Sequence, residues 1–301
     1  MEERVAAPGR VDMTASIIIP AHNEEAVIGR CLDALLGDAE PGEFDVIVVA
    51  NGCTDRTAEV ARGYGDAVTV IDTPTPGKPN ALNLGDDAAG DLFPRIYLDG
   101  DLVLSTRSAR AIVGAVASEG VLAAAPKFRF DLYRVSWAVR AYYRIWSLMP
   151  YFDTGRIAGA FALSREGRGR FGAFPKVISD DGYVRLHFAP HERRTVDTET
   201  VTVVAPRTLR DLINIKTRSK AGTMELRAGY PHLFANETAS EGGSMKRMLR
   251  MPWLWPQCVV YAYVNLAAKH RARARLARNE SVWDRDESSR EPGPAGAPRG
   301  A

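Results

Sequence analysis

Cysteine is scarce and scattered in this chain: Cys31, Cys53 and Cys258 are the three present. Odd in number and far apart, they form neither a disulfide framework nor the paired spacing of a zinc site, and they fit a reducing compartment. A strong charge of either sign is also missing. With 39 Lys and Arg against 37 Asp and Glu the formal balance is +2, which argues against a dedicated nucleic-acid binder. The opening residues, Met1-Glu2-Glu3-Arg4, lack the apolar stretch of a secretory signal, so a cytoplasmic chain is expected. Long apolar runs are absent too. The best one, residues 252–268, is broken by Pro256, Gln257 and Asn265 and is short against the ~20 residues of a spanning helix, which favours a packed or interfacial helix.

What is present suffices for a large core. Of 301 residues 46% are hydrophobic, so one large domain with appendages is expected. Ser16-Ile17-Ile18-Ile19-Pro20 is apolar without alternation, the pattern of a strand buried on both faces. Residues 24–36 follow as a helix, with Val27, Ile28, Cys31, Leu32 and Leu35 at helical spacing. Further strands are expected at 44–49, 67–71 and 96–98, with helices from near Thr57, at 80–84 and at 108–118, Thr54 capping the first of these. This alternation predicts a mostly parallel, Rossmann-like sheet covered by helices, with ligands beyond the carboxyl ends of its strands. Past residue 121 the alternation weakens. A strand at 123–128, a long helix over 131–148, a strand at 200–205 and a helix at 209–226 are expected, and residues 284–301, rich in Pro, Gly, Ser and charge, read as a disordered tail.

Asp99-Gly100-Asp101 follows the fourth strand, and a second acidic pair, Asp180-Asp181, lies roughly eighty residues on. Hard carboxylate oxygens at a strand end suit Mg²⁺ or Mn²⁺ bound to a diphosphate, with Asp101 the better direct ligand and Asp99 nearer a ribose or a metal-bound water. A second carboxylate group can then remove a proton. Asp-Gly-Asp also makes an ordinary acidic turn, and adjacent aspartates also serve the first turn of a helix.

The segments Pro20-Ala21-His22-Asn23-Glu24-Glu25, Ala50-Asn51-Gly52-Cys53-Thr54-Asp55, Gly77-Lys78-Pro79-Asn80-Ala81-Leu82-Asn83 and Asp99-Gly100-Asp101 resemble, in order and spacing, the blocks of the GT-A fold, family 2 inverting glycosyltransferases. The resemblance covers roughly residues 14–226. It implies a nucleotide-sugar transferase domain there, a helical and interfacial extension over 227–283, and the tail at 284–301. By position it implicates Ala21, Asn23, Glu24, Asn51, Lys78 and Asp99 in holding the donor, Asp101 with Asp99 in holding the metal, and Asp181 as the base, with Asp180 orienting it. Asn51 stands where the family often has aspartate, which leaves the donor base open; its amide could read a base edge. Residues 155–164, with Gly159, resemble the segment lining the sugar and acceptor side, although Gly159 and Ala160 could equally be close-packed core. Within 215–222 Arg218 matches, while Ile215 and Ser219 replace a glutamine and a tryptophan of polymerising members, so transfer of one sugar per encounter is implied; Arg218 or Lys220 could neutralise the leaving diphosphate, or the two could form a solvated basic helix face.

The acceptor is a hydroxyl compound of open class: lipid, saccharide or small metabolite. Aromatic and basic residues over 131–148, and Trp253 and Trp255 ahead of the basic run 269–275, suit either peripheral membrane contact or a large packed helix. Two rival readings are a nucleotidylyltransferase, for which His22-Asn23-Glu24-Glu25 is a poor phosphate loop, and an inactive membrane-associated scaffold of the same fold.

Overall fold

The computed structural model describes residues 15–149, 157–237 and 251–278. The expected tail at 284–301 lies outside them, as do Gly155 and Arg156. One seven-stranded sheet organises the chain. Its strands are β1 (Ala15–Ala21), β2 (Phe44–Asn51), β3 (Thr69–Thr73), β4 (Arg95–Leu98), β5 (Ala123–Asp131), β6 (Ala160–Leu163) and β7 (Arg193–Val204), in the order β3-β2-β1-β4-β6-β5-β7. The pairs β1·β2, β1·β4, β2·β3 and β5·β7 are parallel, and β6 runs antiparallel to both its neighbours.

The continuous apolar run of β1 is explained by burial on both faces. Because side chains alternate, Ile17 and Ile19 enter one core with α1 (Ile28–Leu36) and α4 (Thr106–Val116), while Ile18 enters the other with α3 (Lys78–Ala89). A short helix, α2 (Thr57–Arg62), completes the first layer. On the second face α3 lies so close to β1 that a Cβ at Gly85 would run into the Ile18 side chain. That face also encloses a buried carboxylate. Asp86 accepts from Arg95 (2.6 Å), Tyr97 Oη (2.7 Å) and both Nε and Nη2 of Arg168 (2.9 and 2.8 Å), so its charge is matched by two guanidiniums.

Three expectations change. The helix expected over 131–148 is α5 (Trp137–Trp146), because β5 continues to Asp131 by pairing with β7 and Ser136 then caps the helix through Val139 N. The strand β6 was not foreseen; four small and apolar residues inside a Gly and Ala stretch gave no strand signal. Thr54 does not cap α2. Instead Asp55 accepts from Thr57 N at 3.0 Å, and Thr54 N donates to Asn23 Oδ1 at 2.8 Å.

The second half of the chain adds α6 (Arg165–Arg168), α7 (Asp180–Leu186), α8 (Leu209–Gly229) and α9 (Trp255–Ala277). The inner side of α9 buries Cys258, Tyr261 and Val264 in one cluster with Tyr142 of α5 and Leu212 of α8. The C-terminal helical part is thus packed on the sheet-bearing part. Among the described residues no helix is long and apolar enough to cross a membrane.

Candidate functional site

Parallel strands end together, so the loops after β1, β2 and β4 meet at one edge of the sheet. Beyond that edge opens a cleft of about 890 Å³, a size that suits a nucleotide-sized ligand. Glu24, Asn51, Lys78, Asp99, Asp101, Asp180, Asp181 and Arg218 all line it. The two acidic clusters therefore share one cavity although roughly eighty residues separate them.

Gly159 joins them. Its N–H donates to Asp181 Oδ2 at 3.0 Å, and its carbonyl accepts from Asp99 N at 2.7 Å. A positive φ of 62° lets one residue face both ways, and a Cβ there would sit 3.3 Å from Asp99 Oδ2. Asp180 and Asp181 form the first turn of α7. The segment leading into α7 is held from three sides. Asn83 of α3 binds both the N–H and the carbonyl of Phe174 (2.7 and 3.1 Å), Glu225 of α8 accepts from Ile178 N (2.7 Å), and Gly222 of α8 lies against Ser179.

Lys78 stands between the clusters. Its Nζ lies 2.7 Å from Asp99 Oδ1, 2.9 Å from Asp180 Oδ2 and 3.8 Å from Asp181 Oδ1, with the side chain 23% exposed. It faces carboxylates rather than waiting in solvent for a phosphate. Burial works against its charge, but Asp180, Asp181 and Asp99 outweigh burial and hold the ammonium well above its ordinary pKa. Burial pushes the Asp99 carboxyl up to about 7; Lys78 opposes this, and Asp181, Asp101 and Asp180 add to it. Asp180 is raised by burial as well, against the pull of Lys78. One ammonium thus serves three carboxylates, with Asp101 adding a fourth to the same wall. The remaining Asp181 oxygen, Oδ1, is buried and has no hydrogen-bond partner.

The donor-side residues divide by role. Asn51 is 3% exposed, and its amide donates to the Ala21 carbonyl (2.7 Å) and accepts from Gly77 N (2.9 Å). Both ends are engaged in holding the β1 and α3 loops together, so its expected use in reading a base edge gives way to bracing. Ala21 is buried behind the wall, and Asn23, at φ 51°, accepts from Thr54 N. Pro20, His22 and Glu24 of that loop line the cleft, and His22 Nδ1 lies 2.5 Å from the Asn51 carbonyl.

Sequence reasoning missed the apolar end of the cleft. Phe130, Tyr143 and Trp146 line it as a cluster with ring centroids 4.7 to 5.4 Å apart, beside Val203, Val204 and Ile215. The Lys216 ammonium lies 3.2 Å from the Trp146 ring centroid, a cation held on an aromatic face. Tyr143 and Trp146 were visible as aromatics in a helix, but Phe130 reaches them from β5, and only the fold brings the two together.

A divalent cation fits this wall. Four carboxylates outnumber one lysine, and Asp99 and Asp101 present hard oxygens at a strand end. Among the described residues no group of three or more His, Cys, Asp and Glu side chains is arranged to hold a metal. Two carboxylates with phosphate oxygens and water from the ligand side is the set Mg²⁺ ordinarily uses.

Comparison with known proteins agrees with the geometry. The profile of Glycosyl transferase family 2 matches residues 16–170. A 4,4'-diaponeurosporenoate glycosyltransferase from Staphylococcus aureus (strain USA300) is 48% identical over 63 residues, which are 21% of this chain and 16% of that protein. The aligned part is therefore a small share of that relative's length. Among solved structures, a mannosyltransferase from Pyrobaculum calidifontis in complex with GDP-Man and Mn²⁺ superposes with a TM-score of 0.57 at 21% identity, covering 92% of this chain and 79% of that one. Glucosyl-3-phosphoglycerate synthase from Mycobacterium tuberculosis, with Mn²⁺, UDP-glucose and phosphoglyceric acid, gives a TM-score of 0.52 at 23% identity over 72% of this chain and 79% of that one. At these identities the likeness shows the shared GT-A fold.

Proposed function

The chain belongs to glycosyl transferase family 2, and from that membership we propose that it moves a single sugar from a nucleotide-diphosphate sugar to the hydroxyl of an acceptor, inverting the anomeric carbon. The observation that carries this reading is the pairing of Asp99-Gly100-Asp101 and Asp180-Asp181 on one cleft, bridged by Gly159 and Lys78. We assign catalysis to residues 14–226, with 227–283 appended to it, a part whose described helix is α9.

In this reading the nucleotide lies along the ends of β1 and β2, against His22 and Glu24, on a wall braced by Asn51, Ala21 and Asn23. Asp101 and Asp99 would hold Mg²⁺ or Mn²⁺, which when bound neutralises the diphosphate and favours its departure. Lys78 and Arg218 add positive charge at the same end of the cleft. Asp181 is the base. Gly159 N–H fixes one of its oxygens, and the other, with no hydrogen-bond partner, can take the proton of the acceptor hydroxyl as that oxygen attacks the anomeric carbon. The new bond forms opposite the bond to phosphate, so the carbon inverts. Asp180, at 2.9 Å from Lys78, keeps the ammonium beside the pair and so orients it.

The apolar end of the cleft supports an acceptor with an apolar body beside its hydroxyl. The relative that acts on 4,4'-diaponeurosporenoate is consistent with such a body, and the phosphoglycerate partner of the mycobacterial synthase fits the ring cluster less well. The test is a donor panel, GDP-mannose and UDP-glucose included, with Mn²⁺ and an amphipathic alcohol. Release of nucleotide diphosphate with a product of inverted anomeric configuration is expected. Release of sugar 1-phosphate, with the nucleoside monophosphate passed to the acceptor, would move the chain to nucleotidyl transfer, and absence of donor binding across the panel would favour the scaffold.

A further inference from the structure

We propose that the outer face of α9, with Trp253 just ahead of it, docks this protein on the surface of an anionic lipid bilayer. The helix has two apolar sides. The inner one is accounted for by Cys258, Tyr261, Val264, Ala268 and Ala272, all buried. The outer one carries Trp255, Val259, Tyr263 and Leu266, spaced by four, four and three residues and so lined up on one side of the helix. Val259 and Leu266 are each 68% exposed and Trp253 67%. Single exposed apolar side chains are ordinary, whereas a stripe three turns long marks an interaction site.

The stripe changes chemistry along its length. One turn past Leu266 the same side presents Lys269, His270 and Arg273, all exposed, and α9 contains no Asp or Glu. Apolar and indole groups followed by cations match a bilayer edge, where acyl chains lie beneath anionic head groups. Trp and Tyr suit that level because each joins an apolar body to a polar tip. The lack of any acidic residue on the helix disfavours a second copy of this face, which would set cations against cations.

The neighbouring helix repeats the pattern. α5 exposes Trp137, Arg140 and Arg144, Leu148 follows on the same side, and α5 packs on α9 through the stacked rings of Tyr142 and Tyr261, 5.0 Å apart. Since Tyr143 and Trp146 of α5 also line the cleft, the docking side and the cleft are built from one helix. With no described helix able to span, the protein would lie on the bilayer rather than cross it.

Co-sedimentation of the whole chain with phosphatidylcholine vesicles, with and without phosphatidylglycerol, tests this. Strong binding is expected only where phosphatidylglycerol is present, and it should weaken at high salt. K269Q/R273Q should lower the partition coefficient about 25-fold, each lost cation counting about fivefold. V259S/L266S should lower it at least about tenfold while leaving the melting temperature within ~2 °C, because both side chains are exposed. Equal sedimentation of V259S/L266S and the parent, or no binding of the folded parent to either vesicle, would overturn the proposal. So would concentration-dependent dimers that V259S/L266S disperses, since the face would then belong to a second copy.

Discussion

Gly222→Ala is the sharpest probe of how the base is positioned. Gly222 lies inside α8, where alanine is the better helix former by about 1 kcal/mol, so propensity alone predicts a more stable protein. The surroundings predict the reverse. A Cβ at 222 would stand 2.7 Å from Ser179 Cβ and 3.1 Å from Ser179 N, and the second of these is backbone that cannot rotate away. Restoring an ordinary contact of 3.4 Å requires Ser179 to retreat by about 0.7 Å. Overpacking of this kind costs about 1–3 kcal/mol, so the net effect lies between roughly zero and 2 kcal/mol of lost stability. Function should suffer more. Ser179 immediately precedes Asp180 and Asp181, and since a misplacement of about 1 Å can cost ~10²-fold, a shift of this size should lower kcat by about ten- to thirtyfold. The donor wall at the ends of β1 and β2 is untouched, so donor affinity by calorimetry should match the parent. The assay is nucleotide release at saturating donor, alongside thermal melting. A Gly222→Ala protein with unchanged kcat and a raised melting temperature would refute the packing argument, because helix propensity alone would then be acting.

Other outcomes follow from the same structure. Asp86→Ala should destabilise by about 3–5 kcal/mol in denaturant melts, since it strands the buried guanidinium of Arg95 and takes the carboxylate from the half-buried Arg168; a loss below ~1 kcal/mol would contradict that network. Arg110 hydrogen-bonds Glu43 at two points, 2.7 Å each, and holds its carboxyl below the ordinary 4.5. Its contribution to stability is therefore complete above about pH 4.5 and is lost as pH falls through the lower folded value, so Glu43→Gln should flatten the acid limb of the stability curve. Asp101→Ala should weaken Mn²⁺ binding in the presence of nucleotide diphosphate at least about tenfold, read by electron paramagnetic resonance, with the fold intact by circular dichroism.

The first half of the fold was legible because its central strands, β1, β2 and β4, are buried on both sides. Residues 17–19 and 46–49 are unbroken apolar runs, and the polar residues that follow their strands mark the cleft. The second half was not. β6 is four residues long and is defined by its partners on β4 and β5 rather than by any pattern of its own. Asp131 ends a strand because Val204 lies opposite it, a pairing 73 residues away. The carboxylates of the site could be named from the sequence; their coupling could not. Lys78 is drawn to Asp180, and Asn51 to Ala21 and Gly77, across distances that only the folded sheet closes. Asn51 lines the cleft, and its amide is engaged with Ala21 and Gly77 within the wall.

Asp181→Asn is the most direct measurement on the central claim. The substitution keeps the size of the side chain and removes its capacity to accept a proton, while Asp99, Asp101 and Lys78 remain at the donor end. Donor binding by calorimetry should stay within about threefold of the parent and kcat should fall by about 10²- to 10⁴-fold. Sugar transfer at the parent rate by a folded Asp181→Asn protein would contradict the account, because the proton of the acceptor hydroxyl would then be leaving by another group.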